Sequence, residues 1–499
     1  MMTKQTNVAL TTTAIFIATF MTAIEGTIVS TAMPTIIGSL HGVELMNWVF
    51  SIFLLTSAMA TPIYGKFADR NGRKPVFILG LIVFVVGSSL CGLAQNMLQL
   101  IIFRALQGIG AGAIQPITFT IIADIFPFEK RARVLGLNGS AWGVASVIAP
   151  LLGGFLVEKL SWHWIFFINL PVGLLTILLV VFYYHEDFQK SQATIDWRGS
   201  FWLLAMLLSL MLAFQMLGQT LNWPVIFSLL AVTAFSGWRF FKQEQAVPDP
   251  ILNLKMLHNR TFMSQNMIAL FISGFLISFE VYMPMWVQAI LGLPPTRAGF
   301  VVTPSSVLWI VGSFVAGKLI LKYRPQQILT GALLWLMVGG LVLATNSIAA
   351  SFSWFLVWAG FMGLAFGIII TTTTVTIQNV VPHNQVGVAT SLNTLARTLG
   401  QTLLVSVYGI VMNRALYQGT QTHAGVTTEQ LNQLIDPLKA RHLPVESLPV
   451  LRGILYNGLH AIYIVAAAII LLALGVNWYD QAKRRGELRV AALADKSER

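Results

Sequence analysis

The sequence predicts an all-α polytopic membrane protein that crosses the bilayer about fourteen times, with both termini on the inner side. Three observations carry that prediction. First, 56% of the 499 residues are hydrophobic and only 10% are charged, against roughly 25% charged in an average soluble domain. No water-soluble fold hides that much apolar surface. Second, the apolar residues form long runs, and a hydrocarbon core about 30 Å thick needs about 20 such residues per helical crossing. Third, the 31 Lys and Arg residues are unevenly placed: with those at span ends counted to the adjoining connection, 23 fall in inner connections and termini, 6 in outer connections and 2 well inside spans. An even number of spans with the N-terminus inside reproduces that bias.

The spans are expected near residues 10–34, 46–66, 75–94, 97–122, 134–157 and 163–184, then 197–217 and 222–241. A second set follows near 262–291, 297–321, 327–346, 351–380, 386–412 and 455–478. The first run, Val8 to about Met33, is too long for a signal-peptide core, so it reads as a retained span. The single cysteine, Cys91, lies in an apolar run and permits no intrachain disulfide. The net charge of +12 reads as topology, with attraction to anionic inner-leaflet lipid as a by-product. Nucleic-acid binding is excluded, because no soluble basic domain exists to hold a groove reader.

One connection is long: residues 413–454 on the outer side, read as a loop with one short helix around Thr428 to Leu443. The inner connection from Arg239 to Arg260 holds Pro248, Asp249 and Pro250, which stop a helix and mark a divide. An internal repeat supports the divide. Gly65-Lys66-Phe67-Ala68-Asp69-Arg70-Asn71-Gly72-Arg73-Lys74-Pro75 follows the second span, and a worn copy, Gly317-Lys318-Leu319-Ile320-Leu321-Lys322-Tyr323-Arg324-Pro325, follows the tenth. The expected organisation is a six-helix bundle over 1–190, two inserted helices over 191–245 without buried charge, a second six-helix bundle over 246–480 and a cytoplasmic tail over 481–499.

The segment from Gly65 to Pro75 resembles the signature loop of the major facilitator superfamily, and Arg104-Ala105-Leu106-Gln107-Gly108 resembles its membrane-embedded arginine motif. Trp162-His163-Trp164-Ile165-Phe166-Phe167-Ile168-Asn169-Leu170-Pro171 and the fourteen-span layout are similar to the drug:proton antiporter branch of EmrB/QacA type. That resemblance implies the major facilitator fold and transport by alternating access. The antiporter signature of span 5 is matched by Gly136, Pro150, Gly153 and Gly154, with Ala145 and Ala149 standing where the family has glycine. Alanine still permits close helix contact. The plainer alternative is that these small residues simply pack span 5 against a neighbour.

Ionisable side chains inside a span are costly and rarely face lipid, so each is a functional candidate. Four lie well inside: Glu25, Arg104, Glu280 and Arg397. Glu25 sits in Ala23-Ile24-Glu25-Gly26-Thr27-Ile28-Val29-Ser30-Thr31-Ala32-Met33-Pro34, which resembles the family's span 1 motif with Glu in place of the usual Asp. A desolvated carboxyl can hold a proton and release it when a cation approaches, which is the chemistry of exchange. Glu280, four residues before Pro284, is a second proton or substrate-coupling candidate. Arg104 and Arg397 are expected charge partners, since a guanidinium does not deprotonate in proteins. Which acid pairs with which arginine stays open, and the alternative is two ion pairs that merely lock helices. Glu25 is the first choice.

At the inner gate the resemblance implies a latch made by Gly65, Asp69, Arg70, Gly72, Arg73 and Asp124, with Asp69 facing the N-terminus of span 13 and Arg73 paired to Asp124. The alternative is a solvated cluster that fixes topology. Met21, Met283, Met285, Trp286 and Trp309 are candidates for an adaptable pocket. No histidine falls mid-span, and neither a catalytic constellation nor metal-ligand spacing occurs, so no enzyme activity, metal or cofactor is expected beyond the proton gradient as energy source. ATP hydrolysis is set aside because no Gly-x-x-x-x-Gly-Lys-Ser/Thr loop is present. The expected function is secondary active, proton-coupled export of lipophilic, cationic compounds by a monomer in the cell membrane. The alternative is a lipid or specific-metabolite transporter of the same fold.

Overall fold

The structure is a computed structural model that describes residues 6–186, 196–219, 222–247, 254–381, 386–423, 426–435, 437–440 and 442–497. Helices are the regular secondary structure among them, as expected where no water can satisfy backbone polar groups. The first half contains α1 (Val8–Leu40), α2 (Met46–Asn71), α3 (Arg73–Cys91), α4 (Met97–Ile125), α5 (Phe128–Lys159), the short α6 (Trp164–Phe167) and α7 (Asn169–Tyr183). Next come α8 (Trp197–Gln219), α9 (Trp223–Ala246) and a single turn, α10 (Leu254–Leu257). The remainder are α11 (Arg260–Met285), α12 (Pro295–Ile320), α13 (Pro325–Ala344), α14 (Phe352–Asn379), α15 (Val386–Thr422), α16 (Thr428–Ile435), α17 (Pro437–Ala440) and α18 (Leu448–Ser497). Among the described residues, 13 helices are long and apolar enough to cross a membrane. α5, the fifth expected span, contains several side chains outside the described set and is not one of them.

Local chemistry accounts for several helix ends. Asn7 accepts from the backbone of Leu10 at 3.1 Å, Asn96 from Gln99 at 2.9 Å and Ser351 from Trp354 at 3.3 Å, each satisfying an orphan N–H of a first turn. Pro284 lies inside α11, and the chain continues as a π-helical turn over Trp286–Ile290. The proline has no N–H to donate, so the backbone bonds beyond it are re-registered.

The chain forms two compact units that do not follow chain order. One comprises residues 1–251, 279–303 and 405–459, and the other comprises 252–278, 304–404 and 460–499. The first unit has a core that includes Phe77, Leu81, Phe84, Ile114, Ile117 and Ile121. Glycines set how closely its helices approach: a Cβ on Gly87 of α3 would stand 2.5 Å from the backbone nitrogen of Gln107 on α4, and one on Gly112 would stand 2.6 Å from the carbonyl of Ser57 on α2. Small residues of this kind let apolar helices associate where there is no hydrophobic drive between them.

Within this same unit, the outer part of α11 and the start of α15's outer half pack on α1 and α2. Tyr282 donates to Asn47, Gln288 donates to the Thr31 carbonyl at 3.1 Å, and Ser51 meets Ser406 at 3.4 Å. The long outer connection is folded onto the end of α1. α16 falls where a short helix is expected, with Leu431, Leu434 and Ile435 buried. Its Asn432 accepts from the backbone of Val43 at 3.2 Å, Glu429 pairs with His41 at 3.0 Å, and Lys439 on α17 donates to the carbonyl of Gly38.

α8 and α9 pack chiefly on each other, with Ser209 meeting Thr233 at 2.8 Å. The expectation that they lack buried charge is corrected: Asp196 and Glu244 are 7% and 3% exposed. Asp196 accepts from Gly199 at 2.8 Å and Gln243 at 3.0 Å, so it caps α8 from a position that an apolar run does not include.

In the second unit a polar cluster joins α11, α13 and α18. Asp480, fully buried, accepts from Arg260 at 2.9 Å and Gln326 at 2.8 Å, and Asn477 donates to the carbonyl of Gln326 at 2.9 Å. α18 continues as a helix through the segment expected as a tail, to Ser497.

Gly87→Val should therefore destabilise the first unit by about 1–3 kcal/mol or more, since overpacking forces backbones apart. Thermal unfolding of purified protein in detergent measures this, and an unchanged midpoint would show that α3 and α4 have slack.

Candidate functional site

Two of the four expected intramembrane charges meet. The guanidinium of Arg104 on α4 donates through Nη1 to Oε1 of Glu25 on α1 at 2.5 Å. Glu25 is 0% and Arg104 is 1% exposed. A pair so removed from water persists only when its remaining hydrogen-bonding capacity is met, and here neighbours meet much of it. Arg104 also donates from Nε to the carbonyl of Val49 on α2 at 3.1 Å and from Nη1 to Oε1 of Gln107 at 2.9 Å. Its guanidinium carbon lies 4.0 Å from the ring centroid of Phe53, a cation–π contact. The second oxygen of Glu25 accepts from Nδ2 of Asn169, the first residue of α7, at 2.9 Å. Nδ2 of Asn169 also lies 2.9 Å from Oγ of Ser88 on α3.

The fold delivers these groups by simple means. Glu25 and Arg104 sit well inside two long apolar helices, so neither side chain reaches water by snorkelling. Asn169 is placed by the short α6, whose turn leads directly into α7. α5 packs beside α1: a Cβ on Gly153 would stand 2.8 Å from Cγ1 of Ile28 and 3.2 Å from its carbonyl. On the other face of α5, a Cβ on Gly154 would stand 2.5 Å from Cα of Thr296 on α12, and a Cβ on Gly299 would collide with the Pro150 carbonyl. Gly153, Gly154 and Pro150 thus bring α5 against two helices at once, and the buried Ala145 and Ala149 extend the small surface. Gly136 lies in α5, and its surroundings fall outside the described residues.

At the predicted inner end, Arg73 and Asp124 form the expected ion pair. The signature segment is less of a loop than the sequence suggests. Gly65 through Asn71 belong to α2, Arg73 starts α3, and Gly72 alone makes the turn. Its φ of +95° is a conformation that only glycine adopts without strain. Arg70 is exposed in the last turn of α2 and Gly65 is open, with nothing within 4 Å of where a Cβ would stand. The side chain of Asp69, and so its expected partner in span 13, falls outside the described residues.

A residue that sequence reasoning missed completes this corner. Glu186 accepts from the backbone N–H groups of Arg73 at 2.8 Å and Lys74 at 3.0 Å, while Nζ of Lys74 donates to the carbonyls of Val181 at 2.8 Å and Tyr184 at 2.6 Å. An acid on the start of α3 and a base on the end of α7 each complement a helix dipole.

Glu280 is half-buried on α11 in the first unit, and Arg397 is half-buried on α15 in the second. Met283, Met285 and Trp286 are buried in the first unit beside one another, Met21 belongs to the core between α1, α3 and α7, and Trp309 packs on Phe366 in the second unit.

The family model described as Major Facilitator Superfamily matches residues 15–404. The chain belongs to that superfamily. Multidrug resistance protein 3 of Bacillus subtilis (strain 168) is 35% identical over 410 residues, covering 82% of this chain and 80% of that protein. The multidrug efflux pump SdrM of Staphylococcus aureus (strain N315) is 31% identical over 405 residues, covering 80% and 89%. Among solved structures, a bacterial homolog of the human lysosomal transporter Spinster, inward-facing and unoccupied, superposes with a TM-score of 0.68 at 17% identity, covering 94% of this chain and 96% of that one. A D-xylose-proton symporter gives 0.61 at 14% identity, covering 94% and 97%. These two likenesses concern the fold.

Removing one partner of a buried ion pair leaves an uncompensated charge, at a cost of about 3–5 kcal/mol. Arg104→Gln should lower the unfolding midpoint markedly, and Glu25→Gln combined with it should restore part of the loss. Thermal unfolding in detergent reads both, and additive losses would show that the two side chains do not act as a pair.

Proposed function

We propose that this superfamily member is a secondary active exporter of lipophilic, cationic compounds, driven by protons that enter through Glu25. The observation that carries the reading is the Glu25–Arg104 pair, fully withdrawn from solvent inside the first six helices. Such a pair is expensive to keep for stability alone, and apolar residues of similar volume often serve as well. Its retention makes sense where the charge state must change. Protonation of Glu25 removes the attraction that holds Arg104, and the guanidinium, which keeps its charge, must then find another acceptor. A cationic substrate that competes for the carboxylate displaces the proton, and the exchange follows.

The substrate class is inferred from the relatives, two of which are named as a multidrug resistance protein and a multidrug efflux pump. Lipophilic compounds suit a protein embedded in the bilayer. Cations suit a buried carboxylate. Glu280 supports a second coupling point by its half-buried place four residues before Pro284 and the π-helical turn. The Arg73–Asp124 pair and the Glu186 cap serve as an inner latch, whose charges compete with water once the helices part. The Lys and Arg bias supports a cell-membrane protein with both termini in the cytoplasm, and the proposed mode of action is transport by a monomer rather than enzymatic turnover.

Glu25→Gln keeps size but cannot ionise, and its amide nitrogen replaces one of the two acceptor oxygens. In proteoliposomes it should abolish ethidium export driven by a pH gradient, with thermal stability falling by no more than the loss of the ion pair. Unchanged export would remove Glu25 from the coupling mechanism.

A further inference from the structure

We infer that Asn169 is the positioning residue that turns protonation of Glu25 into a loosening of α7 and α3, an inference that rests on the proton-coupled reading above. The argument is one of donors and acceptors. Ser88, fully buried, donates its hydroxyl hydrogen to the carbonyl of Phe166 at 2.9 Å, so its oxygen is left as an acceptor. That fixes the amide nitrogen of Asn169, rather than its oxygen, toward Ser88 at 2.9 Å. The second hydrogen of the same nitrogen goes to Oε2 of Glu25, also at 2.9 Å. Arg104 supplies a donor to Oε1. Both carboxylate oxygens therefore face donors, an arrangement complementary to the ionised form.

A proton arriving at Glu25 must sit on one of those two oxygens. On Oε1 it competes with the guanidinium and on Oε2 with the Asn169 amide, and in either place it removes the charge that strengthens both bonds. Turning the amide over would set its oxygen against that of Ser88 unless the hydroxyl gave up the Phe166 carbonyl. Protonation thus weakens either the bond from α4 or the bond from α7, and Asn169 carries the second of these on to α3. Facing Glu25, the charged or titratable groups among the described residues are Arg104 on α4 and the Cys91 thiol at the end of α3, whose Sγ lies 3.7 Å from Oε1 of Gln107. Neither replaces the Asn169 donor.

The test uses the full-length protein in proteoliposomes, with ethidium export followed across a range of pH. Asn169→Leu keeps the volume and removes the donor. A hydrogen bond to a charged group is worth enough to move a titration by about one to two pH units. Because the lost donor favoured the ionised carboxylate, the midpoint of the export profile should move upward by that amount, with a lower plateau because α7 and α3 no longer follow the carboxyl. Asn169→Gln should bring it part of the way back. Should Asn169→Leu fail to fold, Ser88→Ala removes only the second acceptor and should move the midpoint in the same direction by less. In a Glu25→Gln background, the Asn169 change should leave the pH dependence of ethidium binding where it was. A uniform loss of export with the midpoint in place, or an unmoved midpoint in Ser88→Ala, would assign Asn169 a merely structural role and overturn the inference. Full export by Glu25→Gln alone would instead sink the proton-coupled reading itself.

Discussion

Two opposite charges with essentially no contact with solvent hold the first half of this protein to its shape. Moving an isolated carboxylate or guanidinium from water into a medium of low dielectric costs several kcal/mol for each ion even after relaxation. Glu25 and Arg104 avoid that cost only together, and only where the Val49 carbonyl, Gln107 and Asn169 complete their hydrogen bonds. The demand reaches beyond the pair. α1, α2, α4 and α7 must each arrive with one polar group at one place, and the Phe53 ring closes the guanidinium's face. Charge in this place therefore fixes four helices at once.

That constraint can be met only because the helices approach closely, and their closeness rests on residues with almost no side chain. Gly87 and Gly112 bring α3 and α2 to α4, and Gly153 brings α5 to α1. In lipid there is little hydrophobic drive to assemble apolar helices, so packing contacts and interhelical hydrogen bonds provide it. Glycine raises the number of such contacts per helix pair. The same economy operates at Gly72, where a single left-handed residue turns the chain between α2 and α3 and leaves Arg73 at a helix start, beside Asp124.

Much of this was legible in the sequence, and the legible part has a common cause. Apolar runs reveal themselves because lipid leaves a spanning segment no choice but a helix, and Glu25 and Arg104 stood out because charge inside such a run is rare. The Arg73–Asp124 pair followed from the signature segment. What escaped was polarity without charge, and charge at helix ends. Asn169 reads as an ordinary residue at the start of a span, and Ser88 as one small residue among many; nothing in spacing says that one amide joins three helices. Asp480 and Asp196 lie where apolar runs stop, so they count as connection until tertiary packing buries them. The short helix of the outer connection was visible from its composition, but the seat of α16 on the end of α1 depends on contacts between residues nearly 400 positions apart.

The choice of glutamate at position 25 is explained by the same geometry. Aspartate, the commoner acid at this place in the family, is shorter by one C–C bond of about 1.5 Å. The carboxylate here spans from α1 to two partners on different helices, with Arg104 at 2.5 Å and Asn169 at 2.9 Å. With Asp in the same backbone, both bonds would stretch beyond hydrogen-bonding distance, unless α1 moved closer to α4 and α7. Glutamate reaches both donors with α1, α4 and α7 where they stand.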